Sequence, residues 1–176
     1  MASKHRAVAA VLLEPSKIEV RELEVPPLGS KDILIRVRMA GVCGSDLHLF
    51  GSENPFGEMR VGGEDWTYPQ ILGHENFGTI IEMGEDARAK DAGGLSLNVG
   101  DRVAFFTPGV LGATDVLLKG WARGWSTHSI ATANSQLYKY ASEVPDEVAV
   151  LTEPMSIAIR AVMRAQQLAE PYSMRG

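Results

Sequence analysis

The run Asp32-Ile33-Leu34-Ile35-Arg36-Val37-Arg38-Met39, continued by Gly41-Val42-Cys43-Gly44-Ser45-Asp46-Leu47-His48, joins a clear strand pattern to a dense set of reactive groups. Successive strand residues point to opposite sides, so Ile33, Ile35, Val37 and Met39 share an apolar face while Arg36 and Arg38 project from the other. The strand delivers the chain to a thiol, a hydroxyl and an imidazole at Cys43, Ser45 and His48. Gly41 and Gly44 let the backbone turn tightly around the cysteine and approach a ligand closely. The plain alternative for an isolated cysteine is a small buried hydrophobe.

Outward from this run the chain reads as short strands separated by turns. Ala7 to Leu13 is a buried strand. Lys17 to Val25 is a second, with Ile18, Val20, Leu23 and Val25 apolar, and Pro26-Pro27 ends it. Asn76 to Met83, Arg102 to Phe106 after the Gly100-Asp101 turn, Trp125 to Ala131 and Leu137 to Tyr140 continue the pattern. Gly51 to Tyr68 reads as an ordered loop or a plain surface excursion, and Glu85 to Asn98 as a solvent loop. Pro108 to Gly124 fits either a short helix or a covering loop. The one convincing helix has Pro154 in its first turn, where the missing N–H costs nothing, and Met155, Ile159, Val162 and Met163 at helical spacing up to about Leu168. Many short strands and a single helix predict a mainly β fold, a barrel or a sandwich.

A length of 176 residues suits one domain over 1–176 and is too short for two. With 45% hydrophobic residues, 22% charged and a net charge of -5, the chain has no basic block for nucleic acid or an anionic membrane. A small-molecule partner is expected instead. No stretch approaches the roughly 20 apolar residues of a membrane span. One cysteine allows no intramolecular disulfide, and the apolar run after Lys4-His5-Arg6 is cut short by Glu14 without a cleavage pattern, so a cytoplasmic location is expected.

Cys43, His74, Glu75 and Glu153 are residue types that zinc prefers, and a catalytic site needs only three of them plus an open position. Paired short-spaced cysteines, the usual sign of a purely structural zinc, are absent from the sequence.

Four motifs then stand in order: Gly41 to His48, Gly73-His74-Glu75, Gly100-Asp101-Arg102-Val103 and Glu153-Pro154-Met155. In this the chain resembles the zinc-dependent medium-chain dehydrogenases, most of all the sorbitol, threonine and glucose dehydrogenase branch, from about Val8 to Ala165. The resemblance implies a GroES-like, partly open β-barrel with a C-terminal helix leading towards a Rossmann domain. It implies that Cys43 and His74 ligate zinc, with Glu75 and Glu153 as carboxylates that complete or alternate in the shell; family members differ in which glutamate binds. It also makes Ser45 the hydroxyl that takes the alcohol proton and His48 the imidazole that passes it towards solvent. Plain alternatives are a turn-capping hydroxyl for Ser45 and a surface histidine for His48.

The chemistry suits these residues: bound Zn²⁺ lowers the pKa of a coordinated water from about 15.7 to about 7, and makes an alcohol oxygen in that position similarly easier to ionise. Two departures from the family are visible. Phe105 to Trp125 contains no cysteine, so the second, structural zinc of many members is not expected. No strand followed by a G-x-G-x-x-G turn is found, so the Rossmann domain that binds NAD or NADP is expected to be absent from this chain. The reading is the N-terminal catalytic portion of a longer alcohol, polyol or sugar dehydrogenase, inactive alone, with a homo-oligomer left open. The rival reading is a stand-alone, non-catalytic module binding zinc or a partner.

Overall fold

Strand β1 (Arg6–Glu14) lies between β2 (Lys17–Glu24) and the short β4 (Gln70–Ile71) in an antiparallel three-stranded sheet. A second antiparallel sheet runs in the order β7 (His128–Ala131), β3 (Ile33–Ala40), β5 (Asn76–Met83), β6 (Arg102–Phe106), β8 (Gln136–Tyr140). Helix α1 (Gly44–Gly51) follows β3, while α2 (Asp146–Ala149) and α3 (Thr152–Ser173) follow β8. These elements come from a computed structural model that describes residues 5–51, 68–106 and 124–173, with side chains up to residue 167. The fold is mainly β, two antiparallel sheets that do not close into one barrel, in line with the partly open barrel that the resemblance implies.

Strand β3 shows why the sheets stack. Ile33 and Ile35 point to one side and join Ile80, Leu97, Val103, Phe105 and Leu137 in a core inside the curled larger sheet. Leu34 points to the other side and packs with Ala7, Ala9, Val11, Ile71 and Ile130 between the two sheets. Three consecutive residues are therefore buried, whereas Arg36 and Arg38 stay exposed. Pairing of β3 with β5, Ile35 against Ile80 and Ala40 against Asn76, brings the residues after β3 beside the residues before β5. Gly41 N–H donates to the Glu75 carbonyl at 2.8 Å and extends that ladder into the loops.

The structure corrects several expectations. Three elements escape the sequence reading because each is short: α1, the two-residue β4 and the four-residue α2. The β2 face expected to be buried is not, since Val20 is 75% exposed; only Leu23 and Val25 pack against the core. The Glu85 to Asn98 loop is more than a solvent excursion. Asp91 is buried and accepts from the N–H groups of Leu95 at 2.7 Å and Lys139 at 2.8 Å, and Leu97 is buried in the core beside it. Pro154 lies in the first turn of α3 as expected, but the helix runs to Ser173 and not only to about Leu168, and the side chains of Met155, Ile159, Val162 and Met163 are exposed. Most of the Gly51 to Tyr68 and Pro108 to Gly124 readings fall outside the described residues. No helix among the described residues is long and apolar enough to cross a membrane.

Candidate metal centre

Two loops, one leaving β3 and one entering β5, meet at the end of the larger sheet. Cys43 stands between β3 and α1, and His74 and Glu75 between β4 and β5. One donor atom from each of the three lies within 4.8 Å of the other two. His74 is buried, while Cys43 and Glu75 are partly exposed, so the set opens to one side. Gly41 makes this approach possible: a Cβ there would overlap the Glu75 carboxylate and stand 2.9 Å from its Cβ.

Behind the set sits a residue that the sequence reading gave no role. Asp46, in the first turn of α1, is 1% exposed. Its Oδ2 accepts from the Cys43 N–H at 2.9 Å and its Oδ1 from the Gly73 N–H at 3.2 Å. Oδ1 also lies 3.4 Å from His74 Nδ1, which makes no tighter polar contact and is itself shut off from solvent. The signal in the sequence was an acidic residue three positions after Cys43 at a helix start, where a carboxylate caps free N–H groups.

The electrostatics follow from this arrangement. Asp46, as acceptor and as neighbouring negative charge, outweighs burial and raises the His74 pKa from 6.5 to about 9, with Cys43 adding a smaller push. Hydrogen bonds from the Ser45 side chain and backbone lower the Cys43 pKa against the opposing effect of burial, and His74 adds to the lowering. Burial pushes the Glu153 carboxyl up, Glu75 and Asp46 push the same way, and His74 partly compensates.

This chemistry fits a zinc ion. A metal ligand thiol must be a thiolate, and a ligating imidazole ordinarily has its second nitrogen held by a carboxylate or carbonyl. Cys43 is biased towards thiolate, and Asp46 stands behind His74 Nδ1, leaving Nε2 towards the open side.

The remaining expected site residues are placed unequally. Ser45 is exposed, with Oγ 3.4 Å from His74 Nε2. His48 is exposed on α1, one turn beyond Ser45. Glu153, in the first turn of α3, feels the charges of His74, Glu75 and Asp46 but does not join the 4.8 Å set. It lines a cleft of about 540 Å³ between α3 and the larger sheet, with Met155, Ile159, Phe105 and Tyr140 among the walls.

Comparison with known proteins agrees with this geometry. Residues 29–139 match the family model described as the alcohol dehydrogenase GroES-like domain. The chain belongs to this family. Among curated relatives of the domain, the starvation-sensing protein RspB of Escherichia coli K12 is 30% identical over 85% of this chain and 43% of its own length. The sorbitol dehydrogenase of Gallus gallus is 30% identical over 94% of this chain and 47% of its own length. The crystal structure of 2R,3R-butanediol dehydrogenase from Bacillus subtilis superposes with a TM-score of 0.64 at 26% identity, over 89% of this chain and 47% of that one. The chain thus spans about half the length of the relatives it matches.

Proposed function

We propose that this chain is the metal-holding catalytic portion of a zinc-dependent dehydrogenase that moves a hydride between an alcohol, polyol or sugar and NAD or NADP. The observation that carries the proposal is the convergence of Cys43, His74 and Glu75 donors within 4.8 Å in front of the buried Asp46. Names of relatives support the substrate class, since sorbitol and butanediol dehydrogenases are among them. Zinc bound there supplies a Lewis acid that makes an alcohol oxygen easier to ionise.

Cys43, His74 and Glu75 would hold the ion, with Glu153 as the carboxylate that completes or alternates in its shell. Asp46 keeps the His74 ring turned, so that binding need not order it. Ser45, exposed and next to His74 Nε2, accepts the proton from the substrate hydroxyl. His48, exposed one turn further along α1, passes it to solvent. Two groups in series let the proton leave even when a bound substrate and dinucleotide exclude water from the zinc side. The nicotinamide would come from a cofactor domain, for which this chain carries no glycine-rich turn after a strand.

The test is formation of NADH or NADPH from a panel of polyols and alcohols by the protein encoded in the complete reading frame. The wild type should turn over, Cys43→Ser should not, and Ser45→Ala should lose about 10²- to 10⁴-fold with its zinc intact. Normal turnover in Ser45→Ala, with hydride transfer shown to be rate-limiting, would return Ser45 to a turn-capping role.

A further inference from the structure

Trp125 touches both ligand-bearing loops, although it lies far from either in sequence. Its indole Nε1–H donates to the Gly41 carbonyl at 3.1 Å, two residues before Cys43. The same ring lies over Gly73, the residue before His74: a Cβ at Gly73 would stand 2.8 Å from Trp125 Nε1 and closer still to Cδ1. Gly73 has φ of 91°, in the left-handed region, so a side chain is not accommodated there.

The ring is itself fixed by the backbone. Trp125 N–H donates to the Leu72 carbonyl at 3.0 Å, its carbonyl accepts from Ala10 N–H at 2.8 Å, and Gly124 N–H donates to the Gly73 carbonyl at 2.9 Å. Its apolar face packs against both the core between the sheets and the cluster of Leu12, Leu49 and Leu72. The Trp125 backbone is thus tied to β1, and its indole spans the gap between the Cys43 and His74 loops.

We infer that Trp125 is a positioning residue of the metal centre, setting the separation of the Cys43 and His74 donors through its hydrogen bond to Gly41 and its contact with Gly73. The inference rests on the reading of Cys43, His74 and Glu75 as metal ligands. Asp46 ties the same two loops from the buried side. Trp125 ties them through the Gly41 carbonyl and its contact with Gly73, so the two braces share Gly73 but act on different atoms of it. An indole N–H at this place is what a phenyl ring cannot supply.

The experiment loads the full chain with cobalt(II) in place of zinc and compares wild type, Trp125→Phe and Cys43→Ser. Wild type should show thiolate-to-cobalt absorption that Cys43→Ser lacks. Trp125→Phe, folded by circular dichroism, should keep that absorption with shifted ligand-field bands and bind zinc about 10-fold or more weakly, the range found when groups that orient metal ligands are removed. A folded Trp125→Phe with an unchanged cobalt spectrum and unchanged zinc affinity would overturn the inference and leave the metal-site reading intact. Absence of the thiolate band in wild type, or its persistence in Cys43→Ser, would overturn both. Should Trp125→Phe fail to fold, fluorine NMR decides on a fluorotryptophan-labelled chain carrying Trp66→Phe and Trp121→Phe. A Trp125 resonance that moves when zinc is added supports the positioning role, and one that stays put overturns it.

Discussion

Asp46 joins two loops with one buried carboxylate, holding the amides of Cys43 and Gly73 while its charge faces the His74 ring. Asp46→Asn keeps the size and removes the charge. Zinc affinity, measured by competition with a chelator, should fall about 10- to 100-fold. His74 titrated by NMR in the metal-free chain should fall from about 9 towards its ordinary value, because the carboxylate that raises it is gone. Cys43, His74 and Glu75 were legible in the sequence because a thiol, an imidazole and a carboxylate in glycine-bounded turns have few other uses together. Asp46 was not, since an aspartate in a polar turn is ordinarily solvated, and only the pairing of β3 with β5 makes it an interior group. Glu153 was legible as a candidate, yet its part depends on how α3 sits against the sheet, which no local pattern records.

Among the elements, the strands were readable from their alternation and the short helices were not. An eight-residue helix with glycine at both ends, such as α1, carries too little periodicity to stand out. The joint between β8 and α2 depends on charges instead: Arg102 donates to the carbonyls of Ala141 at 2.8 Å and Val144 at 2.5 Å and to Asp146 at 2.6 Å, while Arg38 reaches Asp146 at 2.5 Å. Burial pushes the Asp146 carboxyl up, but its hydrogen bonds from Arg38 and Arg102 outweigh burial and hold it below the usual carboxylate range. A depressed folded pKa adds stability that is present above the unfolded value of about 3.9 and is lost as pH falls through the lower folded value. Urea unfolding should therefore show Asp146→Asn less stable than wild type by about 1–3 kcal/mol at pH 7. That gap should narrow below about pH 4; a constant gap would mean that the charge is not what matters. Gly78 in β5 is a second element-scale constraint, because a Cβ there would stand 2.5 Å from the Arg36 carbonyl oxygen on the paired strand. Gly78→Ala should cost about 1–3 kcal/mol in the same assay.

At the scale of the molecule, the sequence pattern led to a mainly β fold, but not to the way that one strand, β3, serves two cores. Ile35 belongs to the inner core and is fully buried, so Ile35→Ala should destabilise the chain by about 2–5 kcal/mol in thermal or urea unfolding. The β2 face was misread because Ile18 and Val20 have the right alternation without a covering layer among the described residues. The stripe along α3 correctly marks a helix, and its side chains are open. What organises the molecule for function is the pairing of β3 with β5, which carries Cys43 on one loop and His74 and Glu75 on the next. The central claim is that these three residues hold a single zinc ion, and the most direct measurement is zinc per chain by elemental analysis of purified wild type and Cys43→Ser. The expected result is one zinc in wild type and almost none in Cys43→Ser; full occupancy in Cys43→Ser, or two zinc ions in wild type, would contradict it.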